Sequence, residues 1–301
     1  MPAAGGHVTR DPGDERPAEV LDDVARAVGA EATLGGRLAG GINDGALRVR
    51  LAGRGDAVLK AVARDRPDQL DETLRAQRIV ERMRSRGYPT PAWLGVGATS
   101  THVWHLMDLV DAAPVRELTP AVVEQLMEIV ELQSGRASEP YDHSAYAWKV
   151  ATGREPSVAG LSSHPTAVST LVQRLPLVPA GAPSPLPRAS DMVHADLNPS
   201  NVLVRGGAVV AVVDIENAGS GTRATDLTTL QWHTFQDSLA GVRQRLWTRI
   251  LELVGWEGAA VLATTQILLQ LEWPIRLGRR KELDDALERS HRTVDELEEL
   301  R

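Results

Sequence analysis

The order of apolar and polar positions divides the chain into a strand-rich first part and a helical second part. Residues 17–30 carry apolar side chains at helical spacing and stop at a glycine. Between residues 33 and 63, short apolar runs separated by glycine pairs and by GRGD indicate strands and turns. A helix is predicted over 68–87, and two more strands over 92–110. The first part therefore holds about five strands and one long helix.

The second part begins near residue 119 and is mainly helical, with one isolated hairpin. Thr119-Pro120 is typical of a helix start, and helical periodicity continues from Ala224 to the end. Residues 176–190 are rich in proline and predict a loop. Two β-branched runs joined by Gly206-Gly207 predict a β-hairpin over 201–214.

These patterns predict a disordered polar leader over 1–17, an N-terminal lobe over 18–110 and a C-terminal lobe over 111–301. The leader lacks the apolar core of a signal peptide, and no apolar run is long enough to span a membrane. The chain has no cysteine, which excludes disulfides and thiolate metal sites and suits a reducing cytoplasm. A cytoplasmic protein, monomeric or homodimeric and without a membrane partner, is expected.

The charge balance bears on the partners of the chain. A formal net charge of −7 argues against nucleic-acid binding and is compatible with a cationic substrate. Of the 33 basic residues only three are lysines. One of them, Lys60, lies in the apolar stretch DAVLKAVA, where a snorkelling edge-strand lysine is the ordinary interpretation. Its rarity makes it a candidate functional cation.

The strongest chemical signal is VHADLNPSNVLV, directly before the predicted hairpin turn. A two-residue turn at the glycine pair predicts that Arg205 faces Ala208 and Val204 faces Val209, with the pairing running back to Asn201 and Val212. This register places Asn201 beside Asp214, within a residue or two, at the open end of the hairpin. Asp196 lies just upstream, on the loop that enters the first strand. Glu216 follows Asp214 by two residues and points to the same side if the strand continues.

These oxygen-bearing side chains suit a hard cation and a proton acceptor. Carboxylate and amide oxygens, together with phosphate oxygens, are ligands that Mg²⁺ prefers, and Asp214 and Asn201 can supply them. Asp196 is then free to accept a proton from an incoming hydroxyl group. Taken singly, such residues are usually turn or capping residues, but their combination is far more specific. His194 is predicted to brace the loop by hydrogen bonding.

HADLNPSN followed by VVDIENAGSGTRATDL resembles the aminoglycoside phosphotransferase family, which is related to the protein kinases. A looser resemblance extends from about residue 30 to residue 280. It implies an α+β, bilobal protein-kinase-like fold, with nucleotide bound between the lobes. The expected N-terminal lobe is a small antiparallel sheet with one long helix, and the C-terminal lobe is larger and mainly helical.

The resemblance also implies roles for the residues of the two motifs. Asp196 corresponds to the catalytic base, and Asn201 and Asp214 correspond to the magnesium ligands. Glu216 occupies the second acidic position of the family pattern and is expected to assist the metal. Asp226 is expected to anchor the helical lobe.

In the N-terminal lobe the resemblance assigns Lys60 to the nucleotide phosphates. Gly41 and Asn43 lie in LAGGINDGALRV, where the phosphate-covering loop is expected, although this stretch is neither G-x-G-x-x-G nor a Walker A motif. The acidic partner of the lysine is predicted to be Glu72, with Glu81 as the alternative.

The strand VWHLMDLV is expected to border the adenine, with backbone hydrogen bonds offered between Met107 and Leu109. The acceptor is expected in the helical lobe, where Asp237, Trp232 and Glu272 are candidates for an acidic and aromatic wall. Most helical tryptophans pack into a core, and EPYDHSAYAW is a second candidate wall.

The sequence therefore predicts a kinase that transfers the γ-phosphate of ATP, with GTP as an alternative and Mg²⁺ as cofactor, to a hydroxyl group. The predicted acceptor is a cationic antibiotic, such as an aminoglycoside, an aminocyclitol or a tuberactinomycin-type peptide, and the enzyme would confer resistance. The alternatives are a metabolite kinase acting on an amino alcohol, a sugar or homoserine, and a nucleotide-binding module without turnover. A metal hydrolase is less favoured because the histidines lack a zinc spacing.

Overall fold

A computed structural model describes residues 18–38, 46–137, 141–176 and 182–301. The predicted leader, Gly41 and Asn43 lie outside the described residues. The chain forms two compact units, of which the first comprises Met1–Gln77 and Ala92–Leu109. The second comprises Arg78–Pro91 and Val110–Arg301.

The first unit contains a five-stranded antiparallel sheet with the strand order β1-β2-β3-β5-β4. The alternation of buried and exposed residues along β2, where Leu47, Val49 and Leu51 are buried, is the period of a strand with one covered face. The strands are β1 (Ala32–Arg37), β2 (Ala46–Leu51), β3 (Gly55–Ala63), β4 (Trp93–Ala98) and β5 (His102–Asp108).

Helix α1 (Ala18–Val28) covers this sheet and closes the core of the first unit. Its buried Val20 and Val24 belong to the same apolar cluster as Trp104 of β5. The indole N–H of Trp104 donates to Asp23 Oδ2 over 2.9 Å, so the buried ring has its polar atom satisfied. Gly97 gives the ring room, because a Cβ there would lie 2.5 Å from Trp104 Cζ2.

Helix α2 (Gln69–Arg84) lies between β3 and β4 in the chain, and its residues Ile79, Val80 and Met83 are completely buried. It is followed by a turn in which Gly87 has a φ of +87°, a conformation that favours glycine. The end of α2 and this turn belong to the second unit. There the carbonyl of Pro89 accepts a hydrogen bond from the amide of Val212.

The second unit is mainly helical, as the periodicity predicts. Its core joins Val150, Leu171, Trp232, Leu271 and Val294, which come from five helices. Within the described residues, no helix is both long and apolar enough to cross a membrane. The helices are α3 (Pro120–Glu131), α4 (His143–Ala151), α5 (Thr166–Arg174), α6 (Ala224–Trp232), α7 (Ala240–Arg276) and α8 (Arg280–Glu299).

Two small antiparallel sheets position the polar motif of the second unit. One pairs β7 with β10, and the other has the order β6-β8-β9 and contains the predicted hairpin. These strands are β6 (Ala113–Pro114), β7 (Asp191–Val193), β8 (Val202–Arg205), β9 (Ala208–Val212) and β10 (Gly219–Gly221).

The predicted hairpin register is confirmed next to the turn, where Val204 pairs with Val209 and Arg205 with Ala208. Farther from the turn a β-bulge shifts the register, so Val212 faces Val202 instead of the predicted Asn201. The bulge arises because the strand after the turn has one more residue than its partner over this stretch.

Candidate active site

The catalytic-loop candidate is the segment 194–201, which connects β7 to β8. Its entry is fixed by Asp191, a buried residue of β7. The Asp191 carboxylate accepts the backbone amide of Gly135 at 2.9 Å and forms an ion pair with Arg223 at 3.1 Å. A buried carboxylate needs such partners, and here they fix the strand that leads into the loop.

Asp226 of α6 holds the start of the loop through its backbone. Its side chain is completely buried, and its Oδ2 and Oδ1 accept the amides of His194 and Ala195 at 2.7 and 2.9 Å. Gln133 Nε2 donates a third hydrogen bond to Oδ2 at 2.8 Å. Charged acceptors form the stronger protein hydrogen bonds, so this carboxylate fixes the loop to α6.

His194 braces the loop with both nitrogens of its buried ring. Nε2 lies 2.9 Å from the carbonyl oxygen of Val213, and Nδ1 lies 3.3 Å from the amide nitrogen of Asp196. A carbonyl oxygen only accepts, so Nε2 carries the proton and Nδ1 accepts from the Asp196 amide. Because both ring nitrogens have partners, the histidine links the loop to the strand that precedes Asp214.

Asp196 is oriented by two side-chain amides. Asn198 Nδ2 donates to Asp196 Oδ1 at 2.7 Å, and Asn201 Nδ2 donates to Oδ2 at 2.9 Å. Asn201 Nδ2 also donates to the backbone carbonyl of Asp196. Each carboxylate oxygen keeps a further lone pair, so Asp196 can still accept a proton from a hydroxyl group.

Asp214 lies next to Asn201, because the amide of Val213 donates to the backbone carbonyl of Asn201 at 2.9 Å. Asp214 has a left-handed backbone with φ +66° and ψ +42°, and Ala195 has φ +69°. They are the two non-glycine residues with positive φ among those the structure describes. Such backbone geometry costs about 1–3 kcal/mol per residue and is concentrated at functional sites.

The site residues predicted in the first unit lie on its sheet and on α2. Lys60 is on β3, where it pairs with Ala46 and His105. Met107 is a buried residue near the end of β5, and Leu109 follows that strand.

Glu72 lies in the first turn of α2, where its carboxylate forms an ion pair with Arg66 at 2.7 Å. Its side chain is 46% exposed, so this pair contributes little to stability. The predicted role of Glu72 as the partner of Lys60 stays a prediction.

A cavity of about 290 Å³ opens beside the catalytic loop in the second unit. Ala195, which precedes Asp196, is one of its lining residues, together with residues of α4, α6 and α7. Two of its polar groups, the hydroxyl of Thr225 and the side-chain nitrogen of Gln266, are buried and make no hydrogen bond in the described structure. Buried polar groups are normally satisfied, so these atoms fit a ligand with complementary groups. We refer to this space as the acceptor cavity.

The aromatic residue Tyr146 gives the acceptor cavity an environment that favours positive charge. Burial raises the pKa of its half-buried phenol, and the negative charges of Glu155 and Glu272 raise it further. Glu155 is paired with Lys149 at 2.7 Å, and Glu272 with Arg276 at 2.8 Å. A ligand cation in the cavity would meet the aromatic face of Tyr146, whereas both carboxylates are already paired and lie outside the lining.

The three predicted substrate residues lie in different surroundings, and none of them is part of the lining of the acceptor cavity. Trp232 is 2% exposed and packs in the core of the second unit. Asp237 is exposed on a short 3₁₀ turn. The negative charge of Glu272 contributes to the raised pKa of Tyr146, which lines the cavity. The lining of the acceptor cavity includes Tyr141, His143, Tyr146 and Ala147. These residues belong to EPYDHSAYAW, the second candidate wall predicted from the sequence.

Gln133 is a buried partner of Asp226 that the sequence does not reveal. It follows α3 by two residues, is completely buried and donates to Asp226, 93 residues farther along the chain. A glutamine after a helix has no pattern that distinguishes it from a surface residue. Only the three-dimensional structure reveals this contact, because there the side-chain nitrogen of Gln133 lies against the Asp226 carboxylate that holds the catalytic-loop candidate.

Gln133→Glu should lower kcat at neutral pH by about tenfold, with the KM for nucleotide unchanged, because two carboxylates in this contact repel each other. Protonation of one of them at lower pH should restore part of the activity, so the pH profile of kcat should shift to the acidic side. Initial rates between pH 5.5 and 8 measure both effects.

Gln244→Glu is the matched control, because Gln244 is exposed on α7 and should leave the profile unchanged. A Gln133→Glu profile parallel to that of the wild-type enzyme would show that this contact does not position the loop. Gln133→Leu keeps a similar side-chain volume without the hydrogen bond, and its decrease in kcat should not depend on pH.

A five-stranded antiparallel sheet unit, a mainly helical unit and a loop in which Asn201 bonds to Asp196 fit a protein-kinase-like phosphotransferase. The phosphotransferase enzyme family, APH, matches residues 36–262, and the chain belongs to it. It is a small-molecule kinase of this family with an alcohol group as acceptor. A search of curated protein sequences finds no match.

Solved structures of the same fold share little sequence with the chain. A thermostable mutant of aminoglycoside phosphotransferase APH(4)-Ia, in ternary complex with ADP and hygromycin B, is 15% identical, with a TM-score of 0.66 and coverage of 92% of this chain and 98% of that one. Macrolide 2'-phosphotransferase MphH from Brachybacterium faecium is 17% identical, with a TM-score of 0.54 and coverage of 90% and 97%.

A putative fructosamine-3-kinase from Haemophilus somnus 129PT is 12% identical, with a TM-score of 0.56 and coverage of 93% of this chain and 96% of that one. These similarities confirm the predicted fold class. The predicted family and enzyme class are confirmed by the family match.

Proposed function

We propose that this enzyme transfers the γ-phosphate of ATP to a hydroxyl group of a small cationic antibiotic, in the cytoplasm, and thereby confers resistance. The observation that carries the proposal is Asp196, whose carboxylate is oriented by Asn198 and Asn201 and which directly follows Ala195 of the acceptor-cavity lining. A hydroxyl group bound there would donate its proton to Asp196 as the phosphoryl group is transferred.

The donor side of the proposal depends on Asn201, Asp214 and Lys60. The Asn201 amide nitrogen is committed to Asp196, which leaves its side-chain oxygen to face a cation beside Asp214. A carboxylate and an amide oxygen fit Mg²⁺, which when bound would neutralise charge on the phosphates. Glu216, two residues beyond Asp214, is proposed to support that ion, and Lys60 to bind phosphate oxygens.

The acceptor side of the proposal is supported by the chemistry of the acceptor cavity. The unpartnered groups of Thr225 and Gln266 can bind the hydroxyl and amine groups of a polar ligand. The aromatic ring of Tyr146 on the cavity lining favours a positive charge on that ligand through a cation–π contact. A polyhydroxylated amine satisfies all these groups together, whereas a neutral lipid-like acceptor would leave them unpaired.

An acceptor panel with γ-labelled ATP or GTP tests the proposal. The panel contains aminoglycosides, an aminocyclitol, a tuberactinomycin-type peptide, a neutral macrolide sugar, an amino alcohol, homoserine and fructosamine. Transfer to an amine-bearing antibiotic, and a raised inhibitory concentration in cells that express the enzyme, is expected. Transfer to metabolites alone would instead identify a metabolite kinase, and nucleotide binding without any transfer would identify a non-catalytic module.

Gln266→Leu should raise the KM for the best acceptor by about 3- to 10-fold, because one hydrogen bond contributes about 0.5–1.5 kcal/mol. The KM for ATP should stay unchanged, since the effect is confined to the acceptor cavity. Steady-state kinetics with each substrate varied in turn measure both constants.

Gln244→Leu is the control, since it makes the same change at an exposed position of the same helix. If the two variants have equal acceptor KM values, Gln266 does not contact the acceptor.

A further inference from the structure

A second cavity lies on another face of α4, away from the acceptor cavity. Its volume is about 570 Å³, which is within the usual range for small-molecule sites. Helix α4 separates the two cavities, since different residues of the helix line each of them. His143, Tyr146 and Ala147 line the acceptor cavity. The other face of the helix contributes Ser144, Ala145, Trp148 and Lys149 to the second cavity.

The second cavity is rich in hydrogen-bond donors. The Ser144 hydroxyl is buried without a partner, and the indole N–H of Trp148 makes no hydrogen bond within the described part of the chain. Asp142 is the one acidic residue on its described lining, and Asp142 Oδ1 caps α4 by accepting two backbone amides at 2.9 and 3.0 Å. A lining with many donors and few free acceptors suits an anion.

Three cationic side chains surround the second cavity, although the chain as a whole carries a net charge of −7. Lys149 is paired with Glu155. Arg154 donates from Nε to Thr152 Oγ1 at 2.8 Å and makes no ion pair in the described structure. Arg188 makes neither a hydrogen bond nor an ion pair with any described residue. Two guanidinium groups are therefore available to an anionic ligand.

The remaining lining is apolar. Trp148 is 9% exposed, and Leu186 and Pro187 come from the loop before β7. Leu186 also packs against the buried cluster that contains Ala147 and Leu262, so this side of the cavity is fixed to the core. Such a wall accommodates a flat apolar group beside the charged one.

We propose that the second cavity binds a small organic anion with a flat apolar body. Its acidic head group lies at Arg154 and Arg188, and its body lies against Trp148 and Leu186. This site is separate from the acceptor cavity and does not depend on the proposed reaction.

The fluorescent aromatic sulfonate 8-anilinonaphthalene-1-sulfonate is a suitable probe, because it combines an acidic head group with flat apolar rings. We expect saturable binding to the full chain, which the double variant Arg154→Gln/Arg188→Gln weakens by about tenfold. The double variant Arg26→Gln/Arg54→Gln removes the same charge elsewhere and should bind the probe like the wild-type protein. Trp148→Phe should reduce probe emission excited through indole.

Equal probe affinity in the two double variants would overturn the proposal, as would the absence of saturable binding. If Gln266→Leu weakened probe binding and the Arg154→Gln/Arg188→Gln variant did not, the probe would lie in the acceptor cavity. That result would also overturn the proposal. Phosphoryl transfer should be unchanged in the Arg154→Gln/Arg188→Gln variant without probe, which shows that the variant is folded and that the sites are distinct.

Discussion

Asp196→Asn is expected to lower kcat by about 10²–10⁴-fold, because an amide cannot accept the proton of the acceptor hydroxyl. The amide also has one acceptor oxygen in place of two. Asn198 and Asn201 donate to different oxygens of Asp196, and the amide can accept at only one of these two positions. The substitution should therefore slow the chemical step and disturb the orientation of Asn201.

The measurement is the initial rate of ADP release with the best acceptor of the panel, together with calorimetric binding of a non-hydrolysable nucleotide. Nucleotide affinity should change little, since Asp196 is proposed to act on the hydroxyl group. Asp285→Asn, at an exposed position of α8, is the control for the loss of one carboxylate. A kcat within about tenfold of the wild-type value would remove Asp196 from the role of base.

Asp226→Asn should have the largest effect on stability. The buried carboxylate accepts hydrogen bonds from His194, Ala195 and Gln133, and an amide can accept at only one of the two positions. A buried N–H group left unsatisfied costs about 1–3 kcal/mol, so a loss of about 2–5 kcal/mol and a fall in Tm of about 5–15 °C are expected. Activity should fall as well, since the catalytic loop loses its anchor.

Thermal unfolding with and without nucleotide, followed by circular dichroism, measures the effect on stability. Asp237→Asn, which removes an exposed carboxylate from the same unit, should change Tm little. If both variants unfold at the same temperature, the hydrogen bonds of Asp226 do not stabilise the second unit.

The hairpin could be predicted from sequence because its determinants are local. Gly206 and Gly207 both have positive φ, which the tight turn requires, and the flanking β-branched residues form the paired strands. The proximity of the two candidate catalytic residues could be predicted for the same reason, since Asp196 and Asn201 are five residues apart and are joined by a hydrogen bond. The predicted register was wrong at Val212 because of the β-bulge, which no residue type in this stretch indicates.

The contacts that hold the site in place could not be predicted, because they join distant segments. Gln133 and Asp226 meet through the packing of α3 against α6, and three-residue strands such as β7 and β10 are too short for a periodic signal. Trp232 illustrates a related difficulty, since sequence does not show whether a helical tryptophan faces a core or a cavity. In the structure its ring is in the core.

The left-handed backbone of Asp214 limits which residues can replace it in related proteins. Glycine, asparagine and aspartate adopt this conformation most readily, whereas β-branched residues are strongly disfavoured. A change of Asp214 to asparagine would therefore remove the negative charge and keep the turn intact. Relatives that lack the proposed metal ligand should therefore carry asparagine or glycine at this position and retain the hairpin.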